Sequence, residues 1–594
     1  MPKNSNRLSD NIKIWFFGSA ILGLSFLIFG NSIQGNFIYD DHIVLSHSLF
    51  NQPGQFFQFF TEPYFDDYTK AGLYRPFTQI SFVLNFVLGG ANPAGFHVFN
   101  ILLHGLNSFL VFIFAKEWLK SAMIGVIASL LFLVLPIHSE AVASIVGRAE
   151  LLAFFFSVLS LIFWGRSRYL VSAVFLFCGL LSKETAIVVP LIIGVKMLYD
   201  RIGQTHKSYI VLLKKLLYPA GVIGAYFGLR AYVLKEYAFR SDVEFVFNPL
   251  AFLSVSERLA TAFKILALYV QKIFIPGNLS PDYSYNQIVI EKSIFSSVPA
   301  FLGFLFLAVG LTALIYFMKR GRFYSLVLAL TLFILPYLVI SNLFFPIGTI
   351  MADRLMYLPS LGTVLLISSG FYNINRQDLF NRSCLLICGG IIVVYSFLTF
   401  QQNKIWADEE IFFQNMYERS PESVVAKTQW ARLIYFQKPE EAKKLAFGAY
   451  AQYQDFIPLL NLLAAIEKNE GRPSEAIKYL ERAHKLMPLH QGTLTGLSRA
   501  YFVLKEYQKA EPVLETLVSK YGGNGNIILY MITKARIGDY KEALIMIDKN
   551  IDEIDAESSA VLSEYVLLKM SKNPSSVLLK KAEEKLIKLE TFFR

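Results

Sequence analysis

Charge is scarce in this chain. Only 17% of its 594 residues are charged, 54% are hydrophobic, and the mean hydropathy is +0.45. A soluble domain rarely reaches that hydropathy, and a membrane span needs about 20 apolar residues, a length found repeatedly here. Cysteine is nearly absent. Cys178, Cys384 and Cys388 all lie in apolar runs, where a thiol packs as a small hydrophobe. Cys384 and Cys388 are one helical turn apart and lack the histidine or carboxylate neighbours a metal site needs, so cysteine usage does not identify the compartment. There is no glycine-rich phosphate loop, which argues against a nucleotide substrate. No convincing small-x-small cleavage site follows the first apolar run. The stretch "MPKNSNRLSDNIKIWFFGSAILGLSFLIFG" therefore reads as an uncleaved first span with its N-terminus inside. The net charge of +11 is not a nucleic-acid signal, because membrane proteins collect basic residues in their cytoplasmic connections.

Composition changes sharply near residue 403. Residues 1–403 are mostly apolar; residues 404–594 alternate charged and apolar residues at helical spacing, as in "SEAIKYLERAHKLM". The second part repeats. Ala442, Ala476, Ala510 and Ala543 recur in "PEEAKKL", "PSEAIKYL", "YQKAEPVL" and "YKEALIMI" at separations of 34, 34 and 33 residues. That period predicts tetratricopeptide (TPR) repeats, paired helices stacked into a solenoid, with the small alanine allowing close helix approach. Gly471 and Gly538 precede two of these segments, where turns are wanted. The fold class is all-α, a polytopic membrane domain followed by a TPR-like solenoid.

The first part offers about eleven spans: 12–34, 96–115, 121–136, 149–164, 169–182, 184–199, 210–233, 297–318, 323–341, 356–372 and 383–400. The short neighbours 169–182 and 184–199 suggest broken or re-entrant helices inside a protein-lined cavity. With the N-terminus cytoplasmic, the inside connections are the basic ones: "AKEWLK", "GRSRY", "DRIGQTHKSY", "MKRGR" and "NINRQDLFNR". The outside connections are 35–95, 137–148, 182–184, 234–296 and 342–355, and the repeats also fall outside.

That outer face gathers the ionisable residues: Asp40 and Asp41 in "FIYDDHIVL", Asp66 and Asp67, Arg75, His138 and Glu140, Arg148, Lys183 and Glu184, Asp353 and Arg354. Ionisable groups at the bilayer edge usually face a polar cavity. Each also has a plain structural reading. One of the paired aspartates suits a helix N-cap. Lys183 and Glu184 suit a local ion pair or snorkelling side chains. Asp353 and Arg354 suit a salt bridge at a helix start, and His138 and Glu140 suit interfacial hydrogen bonding. Asp66 and Asp67 read as solvated charges. The recurrence of such residues on one side favours a shared site. A carboxylate can take a proton from an acceptor hydroxyl, and arginine or lysine can hold a phosphate leaving group. A sugar on a lipid phosphate would enter such a site sideways from the bilayer.

The fragments "FIYDDHIVL", "YRPFTQISFVLNF", "GFHVFNILLHGLNS", "LPIHSEAVASIVGRAELLA", "LLSKETAI", "LSPDYSYNQI", "ADRLMYLPSLG" and "WADEEIFF" occur in one order across most of residues 35–415. With the repeats that follow, the chain resembles the transmembrane and TPR-repeat protein O-mannosyltransferases of the GT-C glycosyltransferase superfamily. The resemblance implies a multi-spanning helical catalytic domain with its site on the non-cytoplasmic face. It implies inverting transfer of mannose or another hexose from a polyprenyl-phosphate donor to a hydroxyl, as in Ser/Thr O-glycosylation of exported proteins. The catalytic carboxylate of the first outer loop carries onto Asp41 or Asp40, with Asp41 slightly favoured. Arg75, His138, Glu140, Arg148, Lys183, Glu184, Asp353 and Arg354 match family motifs and are expected at the donor phosphate, the sugar or the scaffold. The array is shorter than in animal members, and its first helices lack the usual tryptophan and glycine-tyrosine pattern, which puts the acceptor in doubt.

Compact size and the lack of extra targeting segments point to a bacterial inner-membrane enzyme with periplasmic site and repeats, equivalent to the endoplasmic-reticulum lumen in eukaryotes. Expected partners are a polyprenyl-phosphate sugar and an acceptor protein or peptide held by the repeats, with no nucleic acid. A divalent cation, magnesium or manganese, stays open as a cofactor: "DD" and "DDY" supply oxygen ligands, but a cationic pocket would serve the phosphate equally. The alternatives are a transferase acting on a glycan or lipid acceptor, a non-catalytic membrane TPR scaffold, and a transporter. A transporter is disfavoured by the lack of clear internal span symmetry and midplane polar residues.

Overall fold

The computed structural model describes residues 3–42, 53–64, 72–202, 209–239, 242–374, 380–550, 554–572 and 574–593, so Asp66 and Asp67 lie outside the described residues. Each of the eleven apolar segments is helical, from Lys3–Phe29 to Phe380–Asn403, and no strand occurs among the described residues. Among the described residues, five stretches are long and apolar enough to cross a membrane: Ile12–Gln34, Pro93–Trp118, Arg148–Gly165, Val298–Arg320 and Leu386–Trp406. A sixth arises if Ala122–Val134 and Pro136–Ala143, bent by 55° at their junction, count as one broken span. Pro136 explains the break, since it lacks the amide that would continue the ladder. Helices Tyr169–Ser182 and Val189–Ile202 are shorter. Between them Lys183 is extended and Glu184–Val188 form a 3-10 turn.

The chain divides into Met1–Ala426 and Lys427–Arg594. The first unit runs past residue 403 because helix Glu409–Arg419, capped by Asp408, buries Phe412 and Phe413, and Phe412 packs 4.8 Å from Trp406. Its membrane helices pack closely where side chains vanish. A Cβ on Gly362 would strike the backbone of Phe333 and Ala329, so helix Ser360–Ile374 lies directly against Tyr324–Ile340. One helix sits inside what reads as a connection in sequence. Val255–Phe274 is a 20-residue helix started by a capping box between Ser254 and Glu257.

The second unit is a run of packed helix pairs, among them Ile457–Asn469 with Pro473–Leu486 and Gln491–Val503 with Tyr507–Tyr521. The periodic alanines Ala442, Ala476, Ala510 and Ala543 are all buried at helix contacts. Gly471 and Gly538 take left-handed φ values of 76° and 91°, the backbone their turns require.

Candidate functional site

The two adjacent aspartates of the first outer loop do different things. Tyr39 holds a left-handed φ of 54°, and the turn it makes sends the next two side chains apart. Asp41 is 1% exposed and accepts a hydrogen bond from the Val146 amide at 2.9 Å, with longer contacts from Ser144 Oγ and the Ile38 amide, both 3.4 Å. It ties the first outer loop to the turn before helix Arg148–Gly165. Burial pushes its carboxyl up to about 7 despite those amides. Asp40 is only half-buried, and among the described residues no hydrogen-bond donor is bound to it. It lies in the fields of Arg354 and Glu140. Burial raises its pKa, Arg354 lowers it and Glu140 raises it, for a net rise.

Arg354 comes from the 3-10 turn Asp353–Met356 and Glu140 from the short helix Ser139–Ala143. The Arg354 guanidinium pairs with one oxygen of Glu140, and the Arg354 amide donates to the other at 2.8 Å. Burial alone would lower Arg354, but Glu140 and Asp40 outweigh it and the guanidinium stays charged. Its neighbour Asp353 faces the other way. Tyr283 Oη lies 3.0 Å from both of its carboxylate oxygens and accepts from the Ser280 amide at 2.8 Å. Burial raises Asp353, while nearby Lys272, whose ammonium lies 4.7 Å from the Tyr283 ring centre, pulls it down.

A second group adjoins the first. Lys183 forms a buried ion pair with Glu150. Arg75 donates to Glu184 through Nη2 at 2.9 Å and Nε at 3.2 Å, and Arg230 stands 3.5 Å from the other Glu184 oxygen. Arg230 also donates to the carbonyls of Gly72 and Ala238, both at 2.6 Å, clamping the loop that carries Arg75. Lys183 feels the charges of Glu150, Arg75 and Arg354, and Arg354 those of Glu140, Asp40 and Glu150. Asp40, Glu140, Arg354, Lys183, Arg75 and Glu184 therefore share one electrostatic neighbourhood.

Two of the expected site residues are committed elsewhere. Arg148 is fully buried. It donates to Asn100 Oδ1 at 2.8 Å and to the Ser81 and Phe96 carbonyls at 3.0 Å each, and its guanidinium lies over Phe82 and Phe99. Asn100 in turn donates to the Ser144 carbonyl at 3.0 Å. Arg148 thus shapes the turn that holds Asp41. His138 is buried between the Phe132 carbonyl at 2.9 Å and Ser360 Oγ at 2.8 Å, within rings that include Phe132 and Tyr357. Glu150 and Arg230 were not singled out from sequence. The available signal was an ionisable residue inside each of two mostly apolar segments.

Among the described residues no group of three or more histidine, cysteine, aspartate or glutamate side chains is placed to bind a metal. The carboxylates of the doubled aspartate also diverge, with Asp41 bound to backbone amides.

A tetratricopeptide-repeat family model matches residues 469–527. Among curated proteins, the chain is 28% identical over 539 residues to the human protein O-mannosyl-transferase TMTC1, covering 81% of this chain and 56% of that protein. It is 26% identical over 507 residues to human TMTC3, covering 79% of this chain and 55% of that protein. For human TMTC4 the figures are 27% over 462 residues, 67% and 61%. The chain spans little more than half the length of these relatives. It is a helical membrane protein with TPR repeats that resembles, over most of its own length, the transmembrane and TPR-repeat protein O-mannosyltransferases.

Proposed function

We propose that this chain transfers a hexose, mannose by analogy with its relatives' names, from a polyprenyl-phosphate donor to a serine or threonine hydroxyl of an exported protein. Asp40 is the base. Its carboxylate takes the proton of the acceptor hydroxyl as that oxygen attacks the sugar's anomeric carbon. The bond from that carbon to the phosphate oxygen breaks, its electron pair stays on the phosphate, and polyprenyl phosphate leaves with inversion at the carbon. Arg354 stands where the phosphate's negative charge is met, supported by Lys183 and Arg75. Asp41, Arg148 and His138 hold the loops in place.

The observation that carries this reading is the contrast between Asp40 and Asp41. One carboxylate is half-open in the field of a guanidinium, and its neighbour is buried on backbone amides. A half-desolvated carboxylate with a raised pKa is a better proton acceptor than a solvated one. A cation bound jointly by Asp40 and the donor's phosphate oxygens is the alternative source of positive charge, and titration with a chelator separates the two. The site and repeats face the non-cytoplasmic side, the periplasm in a bacterium or the lumen of the endoplasmic reticulum in a eukaryote; the basic connections opposite them support that orientation. The repeats present the acceptor.

The test is transfer from a radiolabelled lipid-linked hexose by purified full-length protein. Turnover that survives Asp40→Asn at the wild-type rate refutes the assigned base. Transfer to glycan or lipid acceptors alone would move the reading to that substrate class.

A further inference from the structure

The motif "LSPDYSYNQI", residues 279–288, has no role in the account above. It is an irregular loop between helices Val255–Phe274 and Val298–Arg320, and adjacent residues in it take different partners. Tyr283 is buried and bonds Asp353, and its own oxygen is held by the Ser280 amide. The Asp282 carboxylate accepts from the hydroxyls of Ser284, at 2.8 Å, and Ser423. The Asp282 carbonyl accepts from Ser420 Oγ. The Val424 amide donates to the Tyr285 carbonyl at 2.6 Å, and the Asn286 amide to the Glu422 carbonyl at 3.3 Å. Ser420 and Ser423 are fully buried. One residue thus ties the loop to the turn that carries Arg354. Its neighbour ties the loop to residues 420–424, near the end of the first unit.

The Arg354 turn needs such support. Asp353–Met356 is a single 3-10 turn of four residues, too short to hold its shape alone. Glu140 holds it through the amide and guanidinium of Arg354, and Tyr283 holds it through Asp353. A guanidinium that turns to a phosphate gives up its bond to Glu140. The Arg354 amide on Glu140 and the Tyr283 hydroxyl on Asp353 then remain to fix the backbone that aims it. A hydrogen bond to a carboxylate is stronger than one between neutral groups, which suits it to this task. We propose that Tyr283 is a positioning residue that aims Arg354 at the donor phosphate, and that Asp282, through Ser423, anchors the loop that presents Tyr283. The proposal rests on the transferase reading and adds what holds the arginine in place.

The test titrates full-length protein in detergent with two probes, read by native mass spectrometry. One probe is undecaprenyl phosphate and the other is undecaprenol, the same chain without the phosphate. Wild type is expected to prefer the phosphate. Tyr283→Phe is expected to lower that preference about tenfold, the worth of one good hydrogen bond, and Asp282→Asn to lower it in the same direction. Both variants should leave undecaprenol binding unchanged. In an Arg354→Gln background neither substitution should lower the preference further. An unaltered preference in Tyr283→Phe overturns the proposal, and so does a loss that adds in full to that of Arg354→Gln. Equal weakening of both probes overturns it as well, because that is the mark of general damage. A loss in Tyr283→Phe alone overturns the anchoring role of Asp282. A wild type with no preference for the phosphate overturns the phosphate role of Arg354 in the transferase reading itself.

Discussion

Separate substitution of the two aspartates should split catalysis from stability. Asp40 accepts no hydrogen bond from the described residues, so Asp40→Asn removes a base and little else. Loss of a positioned general base lowers turnover by about 100- to 10,000-fold, with the melting midpoint unchanged. Asp41→Asn keeps an oxygen for the Val146 amide but sets its new amide group against the Ile38 N–H, donor against donor. The expected penalty is about 1–3 kcal/mol, with turnover reduced only about tenfold through loop displacement. The penalty should also depend on pH. Burial raises the Asp41 carboxyl from 3.8 to about 7, which corresponds to about 4 kcal/mol in favour of the protonated form. A raised carboxyl binds its proton more tightly in the folded state. Its contribution is therefore fully present below about pH 4 and is lost as pH rises to about 7. Asparagine has no such dependence. Wild type should thus exceed Asp41→Asn in melting midpoint by more at about pH 5 than at about pH 8. The assays are labelled-hexose transfer and thermal melting of the same detergent preparations. An inactive Asp41→Asn that melts like wild type, beside an active Asp40→Asn, would refute the division of labour.

Turnover should rise with pH through the raised pKa of Asp40, so the acid limb of kcat/KM lies above the ordinary carboxylate range. Arg354→Gln should move that limb higher still, since Arg354 is the charge that lowers it; a limb that stays put in the variant would rule out Asp40 as the titrating group. Lys183→Met leaves Glu150 buried without its cation and should cost about 3–5 kcal/mol, while Lys183→Met with Glu150→Leu recovers most of the melting midpoint without restoring transfer. In the repeats, Ala476→Leu overfills a buried helix contact and should destabilise that unit by about 1–3 kcal/mol, read as faster amide exchange in helices Pro473–Leu486 and Gln491–Val503.

Helices and repeats were legible in the sequence because they are periodic. Apolar runs and a 34-residue alanine spacing are local signals, and each falls on a helix or a helix contact in the structure. The roles of the charged residues depend on partners far away in the chain. Which of the adjacent aspartates faces a cation is decided by a left-handed Tyr39 and by the amide of Val146, 105 residues on. Arg148 and His138 sit in site-like motifs, but their partners are backbone carbonyls, Asn100 and Ser360, and a motif does not reveal such partners. Glu150 was hidden for the opposite reason. It looks like one more residue at the start of an apolar helix until the fold brings Lys183 to it.

The pairing of these charges also bears on how a phosphate could be received. Lone arginines and lysines at a membrane edge would lose hydration without return, and a buried ion without a partner is costly. Three cations of the site each have a carboxylate: Arg354 with Glu140, Lys183 with Glu150, and Arg75 with Glu184. The carboxylates hold the cations ready in the absence of ligand, at the expense of competing with it. Exposure then decides where an incoming phosphate lands. The Lys183 side chain is 11% exposed and that of Arg75 14%, but that of Arg354 is 33% exposed. Arg354 also grips Glu140 through its backbone amide, so that contact survives if the guanidinium turns toward a ligand. An entering phosphate would meet Arg354 first, while the deeper pairs set the local field without releasing their partners. The most exposed of these cations and the least restrained carboxylate thus act on each other electrostatically, as the proposed reaction between a leaving phosphate and an incoming hydroxyl requires.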